Sequence, residues 1–227
     1  SIEHDFDPGK AVITATSFNM MPVFVEAACY SDSGVYLTID DYHYSDSMLI
    51  YGTSSSVSLN VKNFGIDTAY NVSLSISTDC EYITFTDSVE IVSTVDAYST
   101  SLVENCFSFD IDRDAPDGYV ASAIVEIACG ESVWQEEITM QLHNVLPCFI
   151  SSGVEGELLP NETVEVVAMF GNVGSLPIEH VFARVDIDRE LVDVLSPAVS
   201  VGDIYPHDTV SVSFEVVVNE NVEFGTV

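Results

Sequence analysis

Two runs of strict apolar and polar alternation, set on either side of one short turn, restrict what this chain can become. Val57, Leu59 and Val61 are separated by Ser58 and Asn60, Val72, Leu74 and Ile76 by Ser73 and Ser75, and Asn63-Phe64-Gly65 stands between the runs. Successive side chains of a strand point to opposite faces, so each run predicts a half-buried strand.

The pattern returns later in the chain. An offset of 109 positions brings Asn63-Phe64-Gly65 onto Asn172-Val173-Gly174, Val57 onto Val166, Val61 onto Phe170 and Val72 onto Val181. Further on the offset is 107, taking Phe107 to Phe214, Phe109 to Val216 and Gly118 to Gly225. We read the two-residue drift as a loop deletion. Self-similarity at this spacing marks a duplicated structural unit, and the prediction is two tandem antiparallel β-sandwiches over residues 34–145 and 146–227. The first copy continues past Gly118 with two more predicted strands, at residues 120–129 and 133–143, whereas the sequence ends two residues after Gly225. The second sandwich is therefore expected to be incomplete, truncated before its closing strands, with an open edge that invites a foreign strand.

The remaining segments fit an all-β chain without helical periodicity. Residues 1–33 contain AVITATSF and PVFVEAA around Asn19-Met20-Met21, an N-terminal hairpin or arm too small to be a domain alone. VYLTID predicts a strand, and DDYHYSDSMLIYG a loop carrying Asp40, Asp41 and Asp46. Phe107, Phe109 and Ile111 share a face, and Ala115-Pro116-Asp117-Gly118 forms a tight turn. Trp134 is read as a core or interstrand aromatic.

Charge narrows the partners. Thirty-seven Asp and Glu face five Lys and Arg, a formal charge of -32. Nucleic acid needs a basic footprint and anionic lipid a basic surface, so neither is expected as a partner. A self-repelling acidic surface keeps a strand-rich protein soluble and guards its edges. No apolar run approaches the ~20 residues of a membrane-spanning helix. The sequence starts at Ser1 with no visible leader, which suggests a processed or excised segment. Cys29, Cys80, Cys106, Cys129 and Cys148 form no C-x-x-C pair, which argues against structural zinc. Should disulfides form, Cys80, Cys106 and Cys129 are the expected participants because they share one sandwich.

Candidate chemistry is sparse. Cys148 lies five residues from His143 in a linker, and His4, His43, His143, His180 and His207 are dispersed. No serine sits on a G-x-S-x-G elbow, so no catalytic residue is assigned. Calcium is the one cofactor weighed. Asp40, Asp41 and Asp46 form one set of hard oxygen donors, and Asp110, Asp112 and Asp114 another before the Pro-Asp-Gly turn. Neither follows the EF-hand loop, and a solvated acidic face competes with both. Asp-Ser/Thr steps such as Asp46-Ser47 and Asp67-Thr68 resemble an O-glycosylation acceptor pattern of exported bacterial proteins, and Asn71 and Asn161 begin N-glycosylation sequons.

The run VSLNVKNFGIDTAYNVSLSIST, followed by FSFDIDRDAPDG and a tryptophan-containing last strand, resembles the Ig-like or fibronectin-like, cell-adhesion-related modules that follow the catalytic domain of secreted bacterial gingipain-like cysteine peptidases. AVITATSFNMMPVFVEA looks like the last two strands of the Ig-like domain directly behind that catalytic domain. The resemblance implies a non-catalytic segment of a larger exported or cell-surface protein. Its partners would be other domains of the same polypeptide, and its role to space, stabilise or present them. The competing function is an adhesion or ligand-binding module, in which Tyr42, Tyr44 and the adjoining acidic loop meet a host protein or glycan with the help of calcium.

Overall fold

The computed structural model describes residues 8–186 and 191–220; His4 and Gly225 lie outside the described residues. The described residues contain strands and turns and no helix. They form two compact units, Ser1–Ala115 with Val120–Leu142, and Pro116–Tyr119 with His143–Val227.

Unit 1 begins with the predicted hairpin, β1 (Gly9–Ala15) and β2 (Val23–Cys29), which among the described residues form a two-stranded sheet of their own. Behind it come β3 (Leu37–Tyr44), β4 (Leu49–Ile50), β5 (Ser54–Asn63), β6 (Ala69–Ser77), β7 (Ile83–Asp87), β8 (Val89–Val95), β9 (Thr100–Ile111), β10 (Val120–Cys129) and β11 (Ser132–His143). They build a four-stranded sheet, β3-β5-β9-β7, and a five-stranded sheet, β4-β11-β10-β6-β8. The alternation decides which side chains enter the core: Val57, Leu59, Val61, Val72, Leu74, Phe107 and Phe109 are fully buried, each stabilising by roughly 1.5–3 kcal/mol. Trp134 packs at the margin of this core, its ring 5.9 Å from that of Tyr36. β5 and β6 belong to different sheets, so the Asn63-Phe64-Gly65 turn carries the chain from one layer to the other.

That crossover is held by a buried carboxamide. Asn63 Nδ2 donates to the carbonyls of Asp67 (2.9 Å) and Val95 (3.1 Å), and its Oδ1 accepts from the amides of Gly65 (2.9 Å) and Tyr36 (3.3 Å). All four polar positions of the amide are used, which is what permits its burial. Gly65 leaves room for the backbone that leads into β3: a Cβ there would lie 2.2 Å from the Gly34 carbonyl oxygen.

Unit 2 repeats this plan with β12 (Pro147–Glu155), β13 (Thr163–Asn172), β14 (Ile178–Arg184), β15 (Val192–Val194), β16 (Ala198–Ile204) and β17 (Thr209–Val218). Its sheets are β12-β13-β17-β15 and β14-β16. Asn172 donates to the carbonyls of Leu176 (2.7 Å) and Ile204 (3.0 Å) and accepts from Gly174 (3.0 Å) and Leu146 (3.4 Å). Among the described residues, unit 2 has no counterpart of β4, β10 or β11.

Strand register explains the two-residue drift differently from a loop deletion. Val57 pairs with Phe107 in unit 1 and Val166 with Phe214 in unit 2. Two residues further along the first strand, Leu59 faces Val103 and Ala168 faces Val212. β9 therefore carries two extra residues inside the strand, at Glu104–Cys106, where β17 runs straight. The insertion is a β-bulge in which Asn105 takes a positive φ of 48° and Ser58 Oγ accepts its amide at 2.9 Å.

A second correction concerns the segment predicted as an acidic loop. β3 extends through it to Tyr44, with Asp40 as the extra residue of a one-residue bulge between Ile39 and Asp41. Tyr42 and Tyr44 are consequently half-buried strand residues, and the Tyr44 hydroxyl donates to the Thr139 carbonyl at 2.7 Å. All five cysteines are free thiols; Cys106 is buried in the core of unit 1, and Cys129 Sγ lies 3.6 Å from the Tyr70 carbonyl.

Candidate functional site

Most of the acidic residues singled out as calcium donors are engaged with other groups of the chain. Asp40, on β3, forms an ion pair with Lys10 on β1, Oδ1 to Nζ 2.8 Å, which holds the lysine pKa above its ordinary value through that contact. Asp41 follows Asp40 across the bulge of β3, and its charge also helps to raise the Lys10 pKa. Asp46 lies in the following turn and accepts from Ser45 Oγ and Ser55 Oγ, both at 2.9 Å. Asp110, next to last in β9, accepts from Ser54 Oγ at 2.6 Å, while Asp112 Oδ1 receives the Asp114 amide at 2.8 Å. Among the described residues, no three carboxylate, imidazole or thiol groups converge in a metal-binding arrangement.

Asp110 and Asp112 share an open depression of about 450 Å³ with Gly52, Thr53, Ser54, Thr84, Ile111 and Arg113. Arg113 packs its aliphatic stem against Gly52, where an added Cβ would meet Cγ at 3.0 Å. A cation entering here would share the space with the Arg113 guanidinium, which opposes binding of a second positive charge.

A more connected polar group lies in unit 2 and was not singled out from the sequence. Asp117 accepts from the amides of Asn144 (2.8 Å) and Ser175 (3.1 Å) and, through a short contact, from the Ser175 hydroxyl. His143 Nδ1 lies 2.8 Å from the same hydroxyl oxygen. Partial burial works to raise the Asp117 pKa, but the Ser175 hydroxyl, the two amides and His143 together hold it below the ordinary carboxylate range. The order of this chain, carboxylate to serine to imidazole, is wrong for nucleophilic catalysis. An activated serine must give its proton to the imidazole, whereas Ser175 gives it to Asp117. The hydroxyl acts as a structural bridge. Its only sequence sign is the Pro-Asp-Gly turn, which was read for backbone shape alone.

Two of the thiols have surroundings that bear on their reactivity. Burial, with the charges of Glu90 and Asp87, pushes Cys106 up to about 12. Cys148 Sγ faces Gly171, 3.2 Å from the position of a Cβ built there, and the partner of His143 is Ser175.

Comparisons with known proteins leave the family unassigned. No family model matches the chain, and no curated protein matches it. Among solved structures it is similar to a protein of unknown function from Porphyromonas gingivalis W83, at 13% identity and a TM-score of 0.27, covering 78% of this chain and 83% of that one. It is also similar to Escherichia coli alpha-2-macroglobulin activated by porcine elastase, at 11% identity and a TM-score of 0.31, covering 94% of this chain and 22% of that one. Likeness at this level carries no argument about activity.

Proposed function

We propose that this chain is a non-catalytic Ig-like segment of a larger exported bacterial protein, acting as a spacer that stabilises or presents its neighbours. The observation that carries the reading is the duplicated layer crossover at Asn63 and Asn172. Two buried carboxamides with the same four kinds of bond invest the chain's best polar geometry in holding sandwiches together. The sequence resemblance to modules behind gingipain-like catalytic domains supports a cysteine peptidase as the parent and the cell exterior as the location. The dense negative charge suits a surface that repels its own kind.

Deleting residues 34–227 from the parent polypeptide in its native host tests the reading. The remaining domains are expected to keep their intrinsic turnover while losing half-life or surface delivery. Loss of intrinsic turnover with half-life and delivery unchanged would overturn it. Calcium titration of the isolated chain, followed by thermal melting, tests the adhesion alternative, since a cation bound only to the folded state must raise Tm.

A further inference from the structure

The outer face of the four-stranded sheet in unit 1 carries a polar row that crosses three strands. Ser54 on β5 pairs with Asp110 on β9, and Thr84 on β7 pairs with Asp110 from the other side. Residues directly opposite one another on antiparallel strands bring their side chains within reach. Phe109 and Ile111 are buried in the core, so Asp110 between them faces out. The row opens onto the depression of about 450 Å³ that Gly52, Asp112 and Arg113 also line. Backbone bonds fix its walls: the Gly52 amide donates to the Ile111 carbonyl at 3.0 Å, and the Asp112 amide to the Tyr82 carbonyl at 2.9 Å. Strands, rather than a long loop, therefore hold the polar groups in place.

Part of this polar set is spent inside the chain. Ser54 Oγ donates to Asp110 Oδ1, Thr53 Oγ1 donates to the Ile50 carbonyl at 2.7 Å, and Asp112 Oδ1 accepts the Asp114 amide. Among the described residues, no hydrogen bond or ion pair engages Asp110 Oδ2, Asp112 Oδ2, the Thr84 hydroxyl or the Arg113 guanidinium. Gly52, at a φ of 67°, gives the arginine stem its seat. The groups left over select a ligand by charge. A simple cation meets Arg113, and a simple anion meets Asp110, Asp112 and the charge of -32 on the whole chain. An uncharged molecule dense in hydroxyl groups avoids both penalties, because its O–H groups donate to the carboxylates while its oxygens accept from Arg113 and Thr84.

We propose that the depression beside Asp110 binds an uncharged saccharide, a single sugar or the end of a sugar chain. Neighbouring hydroxyls of the sugar donate to Asp110 Oδ2 and Asp112 Oδ2, and a further sugar oxygen accepts from Arg113. Bonds to an ionised group are roughly twice as strong as neutral ones, so the two aspartates supply affinity, and the planar fork of the arginine fixes orientation. The volume lies within the range of roughly 300–1,000 Å³ typical of small-ligand sites. The inference goes beyond the spacer reading and does not depend on it. It does not need the calcium of the adhesion alternative either, since no cation takes part.

Amide NMR of the full chain, titrated to millimolar excess with methyl α-mannoside, methyl β-galactoside and methyl β-N-acetylglucosaminide, tests the proposal. At least one sugar is expected to shift the amides of Gly52, Ser54, Thr84 and Arg113, with an affinity that added sodium chloride leaves unchanged, as befits a neutral ligand. Asp110→Asn and Asp112→Asn keep an oxygen for the bonds from Ser54 and the Asp114 amide, so the remaining amide spectrum stays in place. Each is expected to weaken binding about tenfold. Glu137→Gln, on the five-stranded sheet, removes the same charge and is expected to leave binding unchanged. Absence of shifts at these residues with every sugar, sugar affinity unchanged in both asparagine variants, or larger shifts at the same amides with N-acetylarginine amide than with any sugar overturns the proposal.

Discussion

Asn172 stands in unit 2 where Asn63 stands in unit 1. The bonds of the two carboxamides to Gly174 and Gly65 measure 3.0 and 2.9 Å, and those to the carbonyls of Ile204 and Val95 measure 3.0 and 3.1 Å. Replacing Asn63 with alanine strands two carbonyls and two amides in or near the core. The expected cost is about 3 kcal/mol, read from urea unfolding followed by the fluorescence of Trp134. An unchanged midpoint would show that water replaces the carboxamide without loss.

Two glycines separate steric from conformational demand. Gly65→Ala forces a Cβ to within 2.2 Å of a backbone oxygen, so the segment at Gly34 must move, and a loss of about 2–4 kcal/mol is expected. Gly118 has a φ of 73° but nothing within 4 Å of an added Cβ, and Gly118→Ala should cost only about 1 kcal/mol. Thermal melting of the two variants side by side checks the order.

Deletion of Glu104 and Asn105 should be tolerated. The shortened β9 would place Cys106 opposite Ser58 between the observed pairs Val57–Phe107 and Leu59–Val103, giving the continuous ladder already present between β13 and β17. Far-ultraviolet circular dichroism is expected to be preserved. Removing Phe107 and Ser108 instead, which takes away a fully buried aromatic, should abolish cooperative unfolding.

Acid should weaken unit 2 through Asp117. A carboxylate whose folded pKa is depressed contributes stability that is present above its unfolded pKa of about 3.9 and is lost as the pH falls through the folded value. Asp117→Asn is therefore expected to be less stable than the native chain at neutral pH, with the difference shrinking toward acid. Urea unfolding at a series of pH values measures it. A pH-independent difference would mean that the bridge to Ser175 does not rely on charge.

The Cys106 thiol, pushed up to about 12 by burial, should resist alkylation at neutral pH until the chain unfolds. Mass-spectrometric mapping after iodoacetamide treatment, with and without urea, gives the comparison. Labelling of Cys106 in the native state at the rate of an exposed thiol would contradict its burial.

The alternation of Val57, Leu59 and Val61 was legible because period two is maintained without interruption. It predicts both the strand and its buried face. The second half of β3 was not, because the bulge at Asp40 breaks the phase between Leu37–Ile39 and Tyr42–Tyr44, and a broken phase among acidic residues looks like a loop. The offset revealed the duplication, but a linear comparison cannot distinguish residues missing from a loop from residues added within a strand. The polar chemistry was least visible. Asn-x-Gly and Pro-Asp-Gly announce turns, while the burial of Asn63 and the bonds of Asp117 to Ser175 depend on segments far away in sequence.

The buried carboxamide also says how relatives of these sandwiches diverge. Apolar positions exchange even between residues of different size, as Leu59 and Ala168 show, but an amide whose donors and acceptors are all spoken for tolerates no isostere. Any other copy of this module, however far its hydrophobic residues have wandered, should still betray itself by an asparagine two places before a glycine at the fold's inner corner.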